Sequence, residues 1–180
     1  MNTPAARRLP RFGAVALACY VVHAGFHISE GRPQDVLWAC HVAALSIALG
    51  CFLGNASFIA VGILWLSYGN PLWLVDITTG GELLPTSILT HVGGLLVGLF
   101  ALRKLGWPGA VWGRAALAFL GLLGLTRLLT PRKANVNLAF RVADGWESTF
   151  PNFAVYFALL AACAALTFFL AELGWRRILS

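Results

Sequence analysis

Four histidines, His23, His27, His41 and His91, are the residues of this sequence best suited to chemistry, and each sits inside or at the edge of an apolar run. Cys19, His23 and His27 are spaced i, i+4, i+8, so on a helix they form one stripe, with Glu30 a turn beyond. Two imidazoles at that spacing can share one metal ion, and His41 and His91 complete a possible four-nitrogen site. Haem ligated by histidines from two helices is a second use of the same residues. Acid–base chemistry is a third: His41 or His91 as the base, Asp76 or Glu82 orienting the ring, and Thr86, Ser87 or Thr90 offering a hydroxyl nucleophile. The catalytic candidates are then His41, His91 and Asp76, and the metal candidates His23, His27, His41 and His91. Both uses need a buried, oriented imidazole, so the histidines alone do not separate them. Cys40 adjoins His41, but neighbours on a helix point about 100° apart and cannot form a simple dyad. Cys40 shares its face with Ala44, Ile47 and Cys51, which reads as packing.

The elements that position these residues are set by composition. The chain has 180 residues, 59% hydrophobic and 11% charged, with mean hydropathy +0.78. Soluble domains carry about 25% charged residues, so this is a polytopic membrane protein. Six apolar runs approach the roughly 20 residues needed to span a bilayer: 12–28, 36–53, 56–75, 84–102, 110–129 and 150–173. The expected fold is all-α: a single membrane domain over residues 1–180, a six-transmembrane-helix bundle. Gly69-Asn70-Pro71 predicts a broken third helix, because proline lacks an amide proton and disturbs the carbonyl one turn back at Ser67. Freed backbone groups in lipid must be buried in protein or line a wet cavity. Residues 64–91 thus combine a break, Asp76, a Thr-Thr-Gly-Gly turn, Glu82 and His91, and read as the edge of a site that includes Asn70. In the fourth run, Ser87 and His91 share a face with Gly94 and Gly98, a small-residue spacing that admits a close helix and turns His91 toward the bundle.

The net charge of +6 does not indicate nucleic-acid binding, since basic residues are scattered at the ends of apolar runs. No cleavable signal peptide is evident, and four scattered cysteines suggest neither a zinc finger nor a disulfide framework. The charge bias places both termini in the cytoplasm of a cell inner membrane: Arg7, Arg8, Arg11, Arg103, Lys104, Arg114, Arg176 and Arg177 fall on that side, and six of the seven acids fall on the other. Arg127, Arg132, Lys133 and Arg141 of the fifth loop run against this bias. With this topology all four histidines occupy the outer half of the membrane, with His41 and His91 roughly 8–10 Å below its boundary at 1.5 Å per residue. The long connection at 130–149 holds Asn135, Asn137 and Arg141 ahead of Pro151 and Tyr156, and its basic residues suit lipid phosphates. Expected substrate contacts are therefore Asn70, Glu82, Asn135, Asn137, Arg141 and Tyr156, with membrane lipid as partner.

Three segments in order resemble the YwaF-type integral membrane proteins of bacteria. LWACHVAAL is similar to a histidine-bearing helix start, aligning His41, and ILTHVGGLL to a later histidine-glycine helix, aligning His91. ANVNLAF followed by FPNFAVY resembles an asparagine-led loop and the proline-tyrosine start of a last helix, aligning Asn135, Asn137, Pro151 and Tyr156. In that family a cysteine follows the histidine by two residues, whereas here Val42 and Ala43 follow and Cys40 precedes. Its relatives include an animal acyltransferase acting on ether phospholipids and, more loosely, membrane threonine hydrolases of fatty-acid esters. The resemblance implies a compact six-helix bundle with a polar pocket between His41 and His91. Two functions stand at this point: a lipid hydrolase or acyltransferase, or a non-catalytic metal, haem or pigment-binding subunit of a larger membrane complex.

Overall fold

The structure is a computed structural model that describes residues 9–179. Those residues form an all-α bundle with no strand, in which five helices are long and apolar enough to cross a membrane. In chain order the helices are α1 (Pro10–Ser29), α2 (Ala39–Leu53), α3 (Ala56–Thr78), α4 (Pro85–Leu105), α5 (Trp112–Leu129) and α6 (Phe153–Leu179). The exception in length is α2, whose 15 residues rise only about 22 Å. A short 3-10 turn, Pro33–Leu37, precedes it.

Helix ends follow their local chemistry. Proline opens α1 and α4, where a missing N–H costs nothing. Gly54 ends α2 in the left-handed conformation, and Asn55 then caps α3 by accepting from the Ser57 amide at 2.9 Å. Two residues thus join α2 to α3 as a tight antiparallel pair. Glycines let their backbones touch: a Cβ on Gly62 would stand 2.6 Å from the Ala43 carbonyl oxygen, and one on Gly50 would stand 2.8 Å from the Ile59 nitrogen.

The break expected at Gly69-Asn70-Pro71 is not a break. The third helix runs from Ala56 to Thr78 with Pro71 inside it. Neighbouring helices hold it on the N-terminal side of the proline, where Trp175 Nε1 donates to Ser67 Oγ at 2.9 Å and Asn70 Nδ2 donates to the His91 carbonyl at 3.1 Å. Such contacts let a membrane helix carry a proline without ending. The irregular backbone lies opposite, in α4, where residues Leu89–Gly93 form a π-turn that contains His91.

Helix α3 divides the bundle into two sides. Against α5 and α6 it packs Trp65 and Tyr68 on Phe119 and Phe168, with ring centroids 5.9–6.2 Å apart. On its other side α1, α2 and α4 enclose the histidines. Large apolar side chains such as Val21, Leu117, Leu128 and Leu166 remain more than half exposed, as a lipid-facing girdle requires.

Candidate functional site

The four histidines arrive from three helices. His23 and His27 lie on α1 one turn apart, His41 lies in the first turn of α2, and His91 lies in the π-turn of α4. None is more than 6% exposed. His23 Nε2 stands 2.8 Å from His41 Nε2 and 3.3 Å from His27 Nε2, so three ring nitrogens converge on one point. The rings meet edge to face, with centroids 4.3 Å and 4.6 Å apart. His41 also belongs to a second group: one ligand atom each from Cys40, His41 and His91 lie within 4.8 Å of one another.

The opposite nitrogen of each ring meets an oxygen. His41 Nδ1 donates to the Asp35 main-chain carbonyl at 2.7 Å, which fixes the proton there and leaves Nε2 as a lone pair. His91 Nδ1 donates to Asn70 Oδ1 at 2.8 Å, and Asn70 is oriented for this by its own bond to the His91 carbonyl. Trp73 stacks on the far face of the His91 ring at 4.5 Å. His23 Nδ1 lies 2.8 Å from Thr86 Oγ1. His27 Nδ1 faces the Asp35 carboxylate at 3.4 Å without hydrogen-bond geometry. Arg32 approaches the same carboxylate at 3.9 Å. A ring whose Nδ1–H is held by an oxygen presents Nε2 outward, which is how metal-binding histidines are oriented.

Three converging lone pairs repel unless a proton or a metal ion stands among them. A proton on His23 Nε2 suffices: it is donated to His41 Nε2, with His27 Nε2 as a more distant acceptor, while the Thr86 hydroxyl donates to His23 Nδ1. A small metal ion fits the same position. Tetrahedral metal–nitrogen bonds of about 2.0–2.1 Å place ligand nitrogens roughly 3.3 Å apart, the distance between His23 and His27. The His23–His41 pair needs to open by about 0.5 Å from 2.8 Å. Haem fits less well, since nitrogens on opposite faces of its iron stand about 4 Å apart with the macrocycle between them.

The remaining expected site residues lie elsewhere. Asp76 is exposed in the last turn of α3, and Glu82 is exposed in the connection to α4; neither joins a histidine group. Asp35 is the acid that reaches the cluster, and sequence reasoning missed it along with Cys40 and the bond from Thr86 to His23. Asn135 and Asn137 are buried in the 130–152 connection, both with positive φ. Asn135 staples its own loop through Phe140, Arg141 and the Arg141 carbonyl. Asn137 accepts from the Ala39 amide at 2.8 Å and donates to the Leu37 carbonyl and to Thr126 Oγ1, tying this loop to the start of the His41 helix. Arg141 pairs with Asp144 in solvent, and that hydrogen bond holds the Asp144 carboxyl below its ordinary range. Tyr156 packs its ring against Phe150.

Comparison of the chain with protein-family profiles, curated proteins and solved structures finds no match. The site is therefore read on its own chemistry.

Proposed function

We propose that the protein is a metal-binding integral membrane protein, whose ion is held by Nε2 of His23, His27 and His41, with His91 and Cys40 as adjacent ligands. The observation that carries this reading is the convergence of three Nε2 atoms, with oxygens at the opposite nitrogens of the rings. Imidazole suits zinc, copper, iron and nickel, and a nearby thiol shifts preference toward the softer of these. A bound ion of this kind supplies Lewis acidity or electron transfer. The chain's own residues supply orientation through Asp35, Asn70 and Thr86, and exclude water by burial. Charge bias at the helix ends supports an inner-membrane location with cytoplasmic termini. The exposed apolar faces of α5 and α6 suit lipid or a second membrane subunit.

Metal analysis of the detergent-purified protein tests this reading. About one transition-metal ion per chain is expected, lost in His41→Ala and His27→Ala, and lost on acidification because protons compete for the same lone pairs. A folded preparation that neither retains nor takes up zinc, copper or iron defeats the proposal.

A second reading is favoured by one distance. Thr86 Oγ1 at 2.8 Å from His23 Nδ1 has the geometry of a hydroxyl nucleophile beside its base, with His41 behind the base. This supports the lipid hydrolase or acyltransferase that the YwaF-type resemblance implies. Thr86→Val separates the two readings: it abolishes lipid-ester turnover under the second, and under the first it lowers metal affinity by about 10–100-fold while all three histidine ligands remain.

A further inference from the structure

A second polar site lies away from the histidines, where α5 ends and α6 begins. Arg127 is in the last turn of α5, and its Nε donates to the Ala139 carbonyl at 2.6 Å. Its guanidinium also lies over Phe153 and Phe157, 5.5 Å and 5.0 Å from the ring centroids. These contacts fix the planar fork while leaving the two terminal nitrogens uncommitted. Arg127, Thr130, Arg132, Phe140 and Phe153 line a cleft of about 330 Å³ at this point. Among the described residues, neither Arg127 nor Arg132 pairs with a carboxylate, whereas Arg32, Arg141 and Arg176 all do. Two guanidinium groups without a carboxylate partner on one cleft suit an anion. A fork of fixed geometry favours the tetrahedral oxygens of phosphate.

The surroundings identify the source of that phosphate. Leu128, next to Arg127 on α5, is 83% exposed, so apolar surface open to acyl chains adjoins the cleft. The cleft stands at the end of a membrane-spanning helix, the depth of lipid headgroups. We propose that Arg127 and Arg132, walled by Phe140 and Phe153, bind the phosphate of an anionic phospholipid headgroup whose chains pass beside the exposed Leu128 of α5. Arg141, which sequence reasoning placed against a substrate, is engaged with Asp144 and takes no part.

Reconstitution into nanodiscs of phosphatidylcholine mixed with phosphatidylglycerol tests the site, with retained lipid read by native mass spectrometry. The wild-type chain is expected to retain phosphatidylglycerol above its bulk share. Arg132→Ala loses about fivefold of that preference, the effect of one arginine near a charged surface. Arg127→Lys keeps the charge but not the fork and falls short of wild type, which guards against Arg127→Ala failing to fold. Arg114→Ala, at the other end of α5, retains the wild-type preference. Equal lipid retention by the wild type and Arg132→Ala overturns the proposal. So does displacement by inorganic phosphate with no preference between the two lipids, which assigns the cleft to a free anion.

Discussion

Asn70 and His91 hold each other at two points: His91 Nδ1 donates to Asn70 Oδ1 at 2.8 Å, and Asn70 Nδ2 donates to the His91 carbonyl at 3.1 Å. The first bond sets the tautomer of a ring from α4, and the second orients the amide that sets it. Asn70 directly precedes the proline carried within α3, and His91 sits in the π-turn of α4. The proline-bearing stretch of one helix and the π-turn of another thus meet at one side-chain pair, and Trp73 stacks on the ring.

Asn70→Leu should therefore release His91 without removing it. Metal affinity should fall by about 10–100-fold, the usual cost of losing a partner behind a metal-binding histidine. Asn70→Asp keeps an acceptor for Nδ1 and should recover much of the loss. Competition with a chelator measures both, and equal affinity for wild type and Asn70→Leu would exclude His91 from the centre.

Asp35 serves two rings by different atoms. Its main-chain carbonyl holds His41, and its carboxylate faces His27. Asp35→Ala should spare the first and remove the second. The predicted result is a drop of roughly tenfold in metal affinity, smaller than that of His41→Ala. In a double-mutant cycle the effects of Asp35→Ala and His27→Ala should not add, because both act through one ring.

The sequence shows the outline of this site more clearly than its wiring. Apolar run lengths are enough to place six helices, and the i, i+4 spacing of His23 and His27 is enough to put both rings on one stripe. A pairing through a main-chain carbonyl, such as Asp35 to His41, leaves no mark in residue type. Asp76 and Glu82 resemble partners by their nearness to His91 in the chain, but both are exposed, Asp76 in the last turn of α3 and Glu82 beyond its end. Pro71 signals a break only if the backbone stands alone, and α4 and α6 support it on one side. The π-turn that aims His91 has no proline or other marker of its own. Cys40 sits on an ordinary packing face until the third helix group, with His91, is brought opposite it.

Stability on the far side of the bundle hinges on Glu172. This carboxylate on α6 is 2% exposed and accepts from the Val111 and Trp112 amides at 2.8 Å and 2.6 Å. It caps the otherwise unpaired N-terminus of α5, where the helix dipole favours negative charge. Arg176 lies 3.5 Å from its other oxygen. Glu172→Ala should cost about 2–3 kcal/mol, the scale of a charge-assisted buried bond left unmade. Thermal unfolding in detergent measures it. Metal content per folded chain should not change, because Glu172 touches none of the histidines.

Asn137 offers the opposite test, a residue outside the metal centre whose loss should reach it. With φ at +56° it occupies the left-handed region, which asparagine tolerates better than most residues. Its amide bonds the start of α2 through Ala39 and Leu37, two to four residues before His41, and bonds Thr126 on α5. Asn137→Ala removes all three bonds and adds backbone strain, so a loss of roughly 2–4 kcal/mol is expected. Asn137→Gly removes the bonds but relieves the strain, and should fall between alanine and wild type. If the loop positions α2, both variants weaken metal retention in step with their instability. If they lose stability while the folded fraction binds metal as tightly as wild type, the tie at Asn137 supports the fold alone, and the first turn of α2 is set by Asp35.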